Sequence, residues 1–462
     1  MSAERVSASP AVGGRSPLDK VRALQHTLYR AAKADPGRRF HALWDKVLRR
    51  DVLWRAWAAV RANNGAPGID KLTLVEVEEY GVARLLDEIA AELRESRYRP
   101  SPARLVLIPK AGQPGQVRPL AIATVRDRVV QAAVKIVLEP VFEADFLPCS
   151  FGFRPKRAAH DALQVVIDEA WRGRRWVVET DIADCFTAIP HDRLMRQVEK
   201  RVVDQSVLKL LRLMLGAAVM AEGSVRKAVT GTPQGGVISP LMCNVYLHQV
   251  DEAWSVREHG VMIRYADDVL VMCATRQQAE AALERLRLLL AGLGLEPKAA
   301  KTRIVQLVEG GEGFDFLGFH HKLVRSKGFL KGRGTVFLAR WPSDKAMQHA
   351  RDRIGELTAR RRLLLSVESV VGDLNRFLAG WAAYFRYGHC TVRFDKIRQY
   401  ALFRLALFVG KRHKRGLGWG KAIAMYTPGQ LGLISLTGIV AAPRANQPWR
   451  RDKPNAGGER RR

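Results

Sequence analysis

The sequence predicts an α+β chain that finishes in an all-helical region. Three observations carry this. Strand-like and helix-like periodicities alternate as far as residue 338. Beyond Pro342 only helical spacing remains. A hydrophobic fraction of 47% with 26% charged residues is ordinary for a globular protein. Over 462 residues it can supply cores for two or three domains of about 150 residues each.

In chain order, residues 1–18 are small, polar and Pro/Gly-containing, and read as a disordered leader without the apolar core of a signal peptide. Over 18–60, Leu43, Val47, Leu53, Trp57 and Val60 recur at helical spacing. A turn-rich loop at 63–70 (Asn-Asn-Gly-Ala-Pro-Gly-Ile-Asp) precedes a helix over 75–93. A strand at 104–109 runs into a Gly/Pro-rich loop ending near 117, and a helix covers 127–137. A strand at 176–182 is followed by one helix over 191–215, a glycine loop at 231–236, and a helix opened by Ser239 and Pro240. Residues 261–273 read as two apolar strands around an acidic turn. Thr275 and Gln278 cap a helix to about 290, which Gly292 and Gly294 end. Short strands follow near 304–307 and 314–319. In the helical region Val367, Val370, Val371, Leu374, Phe377, Leu378 and Trp381 share one face, and the tail from Pro443 reads as disordered.

The charge is unusual. With 76 Lys+Arg against 46 Asp+Glu, the net of +30 favours a polyanionic partner. From Arg340 onward 25 basic residues face 8 acidic ones, a net of +17, which leaves +13 for the preceding 339 residues. Five dispersed cysteines without a CxxC argue against a disulfide framework and against a cysteine-pair zinc site, and fit a reducing, cytosolic compartment. No uncharged apolar run approaches the ~18 residues of a membrane span, so no membrane partner is expected.

The densest chemical signal is Arg264-Tyr265-Ala266-Asp267-Asp268-Val269-Leu270. A bare Asp-Asp turn is commonly just solvated. Here apolar frames on both sides would bury it, and two adjacent carboxylates then favour a divalent cation. Asp181, at the end of another buried strand 86 residues before Asp267, supplies a third carboxylate. Three such groups suit two hard cations with oxygen ligands. Two metals about 3.5–4 Å apart activate a 3′-hydroxyl and stabilise a leaving pyrophosphate, which is nucleotidyl transfer.

Tyr265-Ala266-Asp267-Asp268 resembles the YxDD hairpin of reverse transcriptases, in the YADD form usual in group II intron-encoded proteins. Further segments match the family in order. They are Leu107-Ile108-Pro109-Lys110 with Arg118-Pro119-Leu120; Asp127-Arg128-Val129-Val130-Gln131, Leu138-Glu139-Pro140 and Ser150-Phe151-Gly152-Phe153-Arg154-Pro155; Asp181-Ile182 with Cys185-Phe186 and His191; Gly231-Thr232-Pro233-Gln234-Gly235-Gly236 running to Leu241; Gly294-Leu295 with Lys301-Thr302; and Phe316-Leu317-Gly318-Phe319. Gly380-Trp381-Ala382-Ala383-Tyr384-Phe385 resembles the maturase signature.

The resemblance implies a right-hand polymerase with fingers and a mixed-sheet palm, followed by an α-helical thumb/maturase domain. Its segments are 19–180 for N-terminal extension and fingers, 181–338 for the palm, 339–425 for the thumb/maturase and 426–462 for a basic tail. It implies Asp181, Asp267 and Asp268 as catalytic metal ligands with the Ile182 backbone carbonyl, two Mg²⁺ ions, and Mn²⁺ as a substitute. Phe186 would be the gate favouring dNTPs, with Lys110, Arg118, Gln234 and Lys301 at the nucleotide. Gly65 and Gly68 of the fingertip loop, with Tyr265, Gly235 and Gly236, would meet template and primer. Without the motifs, Lys110, Arg118 and Lys301 read as solvated cations. Arg376, Arg386, Arg393, Lys396, Arg398, Lys411, Arg412, Lys414 and Arg415 would bind RNA, while Trp381 and Phe385 read mainly as core.

The implied partners are group II intron RNA, an RNA template, a DNA primer or target, and dNTPs, in a bacterial cytosol or nucleoid. The implied activities are RNA-directed DNA synthesis and maturase action in splicing and intron mobility. The segment after the gate reads Cys185-Phe186-Thr187 where the family often has FFD, and no His-Asn-His or cysteine-pair tail is present, so the endonuclease-lacking type is expected. Three alternatives stay open on sequence: a polymerase-silent maturase, a domesticated enzyme of defence or repair, and an RNA-dependent RNA polymerase.

Overall fold

The computed structural model describes residues 17–441 apart from 110–114, 116, 222–223, 227–230, 232–234, 327–334 and 428. Of the expected leader, residues 1–16 lie outside the described residues, while Pro17 and Leu18 open a helix; of the expected tail, 426–441 are described apart from 428, and the stretch from Pro443 lies outside the described residues. The chain forms two compact units that interleave along the sequence. The first takes the described residues of 1–106, 119–147 and 184–249; the second takes those of 107–118, 148–183 and 250–462. Sequence positions 180/181 and 338/339 both fall inside the second unit.

The first unit is mainly helical. The helix Pro17–Ala34 and the helix Arg50–Asn63 pack on the helix Val125–Glu143, which Thr124 caps by accepting from Asp127 N at 3.1 Å. That central helix is longer than its pattern predicts and is buried almost throughout, Asp127, Arg128 and Gln131 included. Two expected helices are each divided. Gly81, at φ 106, separates Leu74–Tyr80 from Val82–Arg94. Asp204 separates His191–Glu199 from Gln205–Leu215, because its carboxylate accepts from Ser206 N and Val207 N and starts a new helix. A sheet of order β2-β1-β4-β5 joins β1 (Ala103–Pro109), β2 (Val117–Ile122), β4 (Val219–Ala221) and β5 (Ser224–Arg226), with β1 parallel to β4.

In the second unit β3 (Trp176–Asp181), β6 (Val261–Tyr265), β7 (Asp268–Cys273) and β8 (Arg303–Gln306) form an antiparallel sheet of order β6-β7-β3-β8. Its residues Val177, Val178, Met262, Ile263 and Leu270 are fully or almost fully buried. The helices Ala159–Trp171 and Arg276–Gly292 cover it; the latter starts at a Thr275 cap donated to by Gln278 N. A second sheet pairs β9 (Phe314–Phe316), which lies in the strand expected near 314–319, with β10 (Phe319–Arg325) and β11 (Val336–Pro342), a pairing the sequence reading did not foresee; Leu317 and Gly318, at φ 49 and 77, separate β9 from β10. Ser343 then caps Asp344–Leu357, and the helices Val367–Phe385, Thr391–Arg412 and Leu417–Ala424 follow. Trp381 packs on Phe385 and Phe394, with ring centroids 5.0 and 5.3 Å apart, as core residues. Among the described residues no helix is long and apolar enough to cross a membrane.

Candidate active site

Asp181 closes β3 directly opposite Asp268, the first residue of β7. Cross-strand partners project to the same face, so a separation of 87 positions in sequence becomes a neighbour relation. Tyr265 pairs with Asp268 across the β6–β7 hairpin, leaving Ala266 and Asp267 as a two-residue turn. Ala266 takes φ 58, the positive value such a tight hairpin needs at a central residue. Ile182 N donates to the Asp267 carbonyl at 3.0 Å, which ties the turn to the end of β3. Lys298 N donates to the Asp181 carbonyl at 2.7 Å.

The electrostatics are those of anions crowded together. Burial and then the charge of Asp181 raise the Asp267 carboxyl above its usual range. The Asp268 side chain keeps 43% of its exposure, yet its dense surroundings and the charges of Asp181 and Asp267 push it up to about 7. Lys301 answers them: its Nζ lies 2.7 Å from Asp181 Oδ2 and 4.0 Å from Asp268 Oδ1. Burial pulls the Lys301 ammonium down, but the hydrogen bond to Asp181 and the three carboxylate charges outweigh it and hold it above the usual value. Beside Asp268 and Lys301 opens a cavity of about 550 Å³, whose lining includes Thr180, Arg303, Phe316 and Lys345.

As they stand, no three His, Cys, Asp or Glu side chains among the described residues are posed to grip one ion. The chemistry of the donors fits a hard divalent cation nonetheless. They are carboxylate oxygens, and those of Asp267 and Asp268 resist ionisation through burial and then neighbouring charge, with an ammonium beside them where a counter-cation is wanted.

The other expected site residues distribute as follows. Lys110 and Gln234 lie outside the described residues. Arg118 is exposed on β2, and its charge lowers the Asp267 carboxyl against the larger upward effects. Phe186 sits half-buried in the short helix Cys185–Ala188 of the first unit. Gly65 and Gly68 pack against the start of the helix Val125–Glu143: a Cβ on Gly68 would stand 2.6 Å from Thr124 Cα. Gly235 (φ 109) lies against Leu120 and Ala121, and Gly236 is buried.

Of the cationic set, Lys396, Lys411, Lys414, Arg415 and Arg386 are exposed. Arg376 pairs with Asp373, and Arg393 lies 3.8 Å from Asp344. Arg398 donates to Gln430, and Arg412 to the carbonyls of Leu363 and Leu365. These last two hold protein together, a use that charge counting did not anticipate.

Sequence reasoning also missed the support beneath the turn. Arg264 and Asp251 form an ion pair with side chains 1% and 0% exposed. Gly152 sits so close that a Cβ there would stand 2.4 Å from Ala266 N. The available signal was Arg264 itself, a charged residue within an apolar strand.

This sheet and its carboxylate-bearing hairpin define a template-directed polymerase of the reverse-transcriptase class. The family described as reverse transcriptase (RNA-dependent DNA polymerase) matches residues 108–321, and the group II intron maturase-specific domain matches 347–425. The chain is similar to protein YkfC of Escherichia coli, with 34% identity over 71% of this chain and 94% of that one. An uncharacterized 91 kDa protein in the cob intron of Schizosaccharomyces pombe is 28% identical over 81% of this chain and 54% of its own length. The group II intron-encoded protein LtrA of Lactococcus lactis subsp. cremoris is 35% identical over 46% of this chain and 35% of its own. The chain belongs to the group II intron reverse transcriptase/maturase family: it is an RNA-directed DNA polymerase carrying a maturase-specific domain.

Proposed function

We propose that the chain copies RNA into DNA by two-cation nucleotidyl transfer and binds a group II intron RNA through its C-terminal helices, promoting splicing and mobility in a bacterial cytosol. The observation that carries the first part is the cross-strand pairing of Asp181 with Asp268 beside the Asp267 turn. Asp181, Asp267 and Asp268, with the Ile182 carbonyl, would hold two Mg²⁺ ions, or Mn²⁺ in their place. Bound there, the cations supply Lewis-acid activation of the primer 3′-hydroxyl and of the departing pyrophosphate. Lys301 keeps its proton and screens the carboxylates in their absence, then serves the triphosphate together with Arg118, Lys110 and Gln234. Phe186 acts as the gate against a ribose 2′-hydroxyl. Gly65, Gly68, Tyr265, Gly235 and Gly236 line the path of template and primer.

The second part rests on the maturase-specific match and the exposed cations at 386, 396, 411, 414 and 415. Shape, phosphate and 2′-hydroxyl contacts suit such a surface. Extension of a DNA primer on an RNA template, with dNTPs compared against NTPs, tests the reading. Incorporation that persists unchanged in Asp267→Asn would sink it.

A further inference from the structure

We infer that Arg264 is a positioning residue for the catalytic turn, acting from inside the protein through the Ala266 carbonyl. Its guanidinium donates through Nε to Asp251 Oδ1 at 2.8 Å and through Nη2 to Asp251 Oδ2 at 2.5 Å. Nη2 also donates to Ser150 Oγ at 2.8 Å, and Nη1 donates to the carbonyl of Ala266 at 3.1 Å. The fork is therefore divided: one arm is anchored on a buried carboxylate, and the other holds the backbone of the turn.

The backbone of Arg264 is fixed as well. Its N–H donates to the Cys149 carbonyl at 2.8 Å, and its carbonyl accepts from Phe151 N at 2.8 Å. Gly152 closes the clamp from the same segment, because only a residue without a Cβ can lie against Ala266 N. Ala266 holds a positive φ without being glycine, a conformation that persists only when its surroundings enforce it. The hairpin pairing of Tyr265 with Asp268 sets that conformation, and Arg264 and Gly152 hold it from outside the turn. Their effect falls on Asp267, the next residue, and through the Ile182 N to Asp267 carbonyl bond on the end of β3 beside Asp181.

A buried ion pair is poor as a source of stability, since an apolar pair of similar volume usually does as well. A pair retained for geometry behaves differently, and that difference is the test. It rests on the metal-dependent reading above. The full-length protein is titrated with Mn²⁺ alone, and free Mn²⁺ is read by electron paramagnetic resonance. Single-nucleotide extension and the melting temperature are measured in parallel.

Arg264→Lys, which cannot serve Asp251 and Ala266 together, is expected to weaken Mn²⁺ binding about tenfold. It should lower kcat about 10²-fold with the KM for dNTP nearly unchanged, as a misplaced reacting group does. The double variant Asp251→Leu/Arg264→Met should recover the melting temperature but neither Mn²⁺ binding nor kcat. Wild-type binding and kcat in that double variant would show the pair to be merely structural and overturn the inference. Should the double variant not fold, Gly152→Ala decides, because it displaces the turn with the charge pair intact; wild-type Mn²⁺ affinity there also overturns it. Mn²⁺ binding that is lost in Asp267→Asn yet intact in the Arg264 variants removes this inference alone. Absence of binding in the wild type removes the metal reading with it.

Discussion

The acidic turn and the cationic C-terminal helices use charge in opposite ways. At the turn, three carboxylates stand on a strand end and a hairpin, wedged over a fully buried Arg264–Asp251 pair. Along residues 386–415 the cations Arg386, Lys396, Lys411, Lys414 and Arg415 are exposed, and Arg386 lies over the Tyr387 ring at 5.3 Å. A crowded, networked site depends on every member, because each fixes the geometry and the ionisation of the rest. Dispersed surface charges act nearly additively and are screened by salt. The turn should therefore fail at one substitution, and the helices should fade with the number of charges removed.

The largest expected effect is at the turn. Asp181→Asn or Asp267→Asn should reduce primer extension by about 10³-fold or more, the several kcal/mol that Lewis-acid stabilisation supplies. RNA affinity should stay within about twofold, since non-specific affinity resides in cation–phosphate contacts. A parallel loss of RNA binding, measured by filter retention, would break the contrast.

Next is the triple variant Lys411→Ala/Lys414→Ala/Arg415→Ala. Its RNA affinity should fall about tenfold at physiological salt, and the slope of log K against log salt should shrink by about 2–3. Extension on a short, saturating primer-template should be retained. A collapse of kcat would show the helices to be coupled to the turn.

A third expectation concerns pH. The folded-state carboxyl of Asp268 is raised to about 7 from a usual 3.8, so across that window the folded chain holds a proton that the unfolded chain has released. Stability in a chelator should therefore fall as pH rises from about 4 to about 7, with the penalty complete above it. Divalent cation, or Asp268→Asn, should flatten the melting temperature across that range. A slope unchanged by either would show that the carboxylate cluster is not its source.

The smallest effects separate structural from exposed cations within the helices. Arg412→Ala should cost about 1–2 kcal/mol, because it strips the carbonyls of Leu363 and Leu365 of a charged donor. Lys411→Ala should stay within about 0.5 kcal/mol. Denaturant titration checks both.

Much of the site was legible because its parts are local. The Tyr265–Asp268 hairpin, the Trp176–Asp181 strand and the Thr275-capped helix each lie within a few residues of the signal that announces them, a tight turn between apolar runs or a hydroxyl one turn before an amide. The breaks at Gly81 and Asp204 were missed because apolar periodicity continues through them while a single backbone or cap interaction interrupts the helix. The β10–β11 hairpin was missed because it mixes His, Lys and Arg with its apolar residues. His321 and Arg340 are cross-strand partners and fully buried, so neither obeys the rule that charge lies outside.

The sequence by itself determined the α+β plan, the three carboxylates, the excess of positive charge and the family, all of which depend on residue identity and short-range order. Tertiary structure alone decided which carboxylate faces which, which cations are spent inside, and that Arg264 of β6 turns its buried guanidinium back to hold the Ala266 carbonyl. Those outcomes depend on strand register and on where a buried donor finds its acceptor. Both are settled by contacts between segments far apart in the chain, which no local pattern encodes.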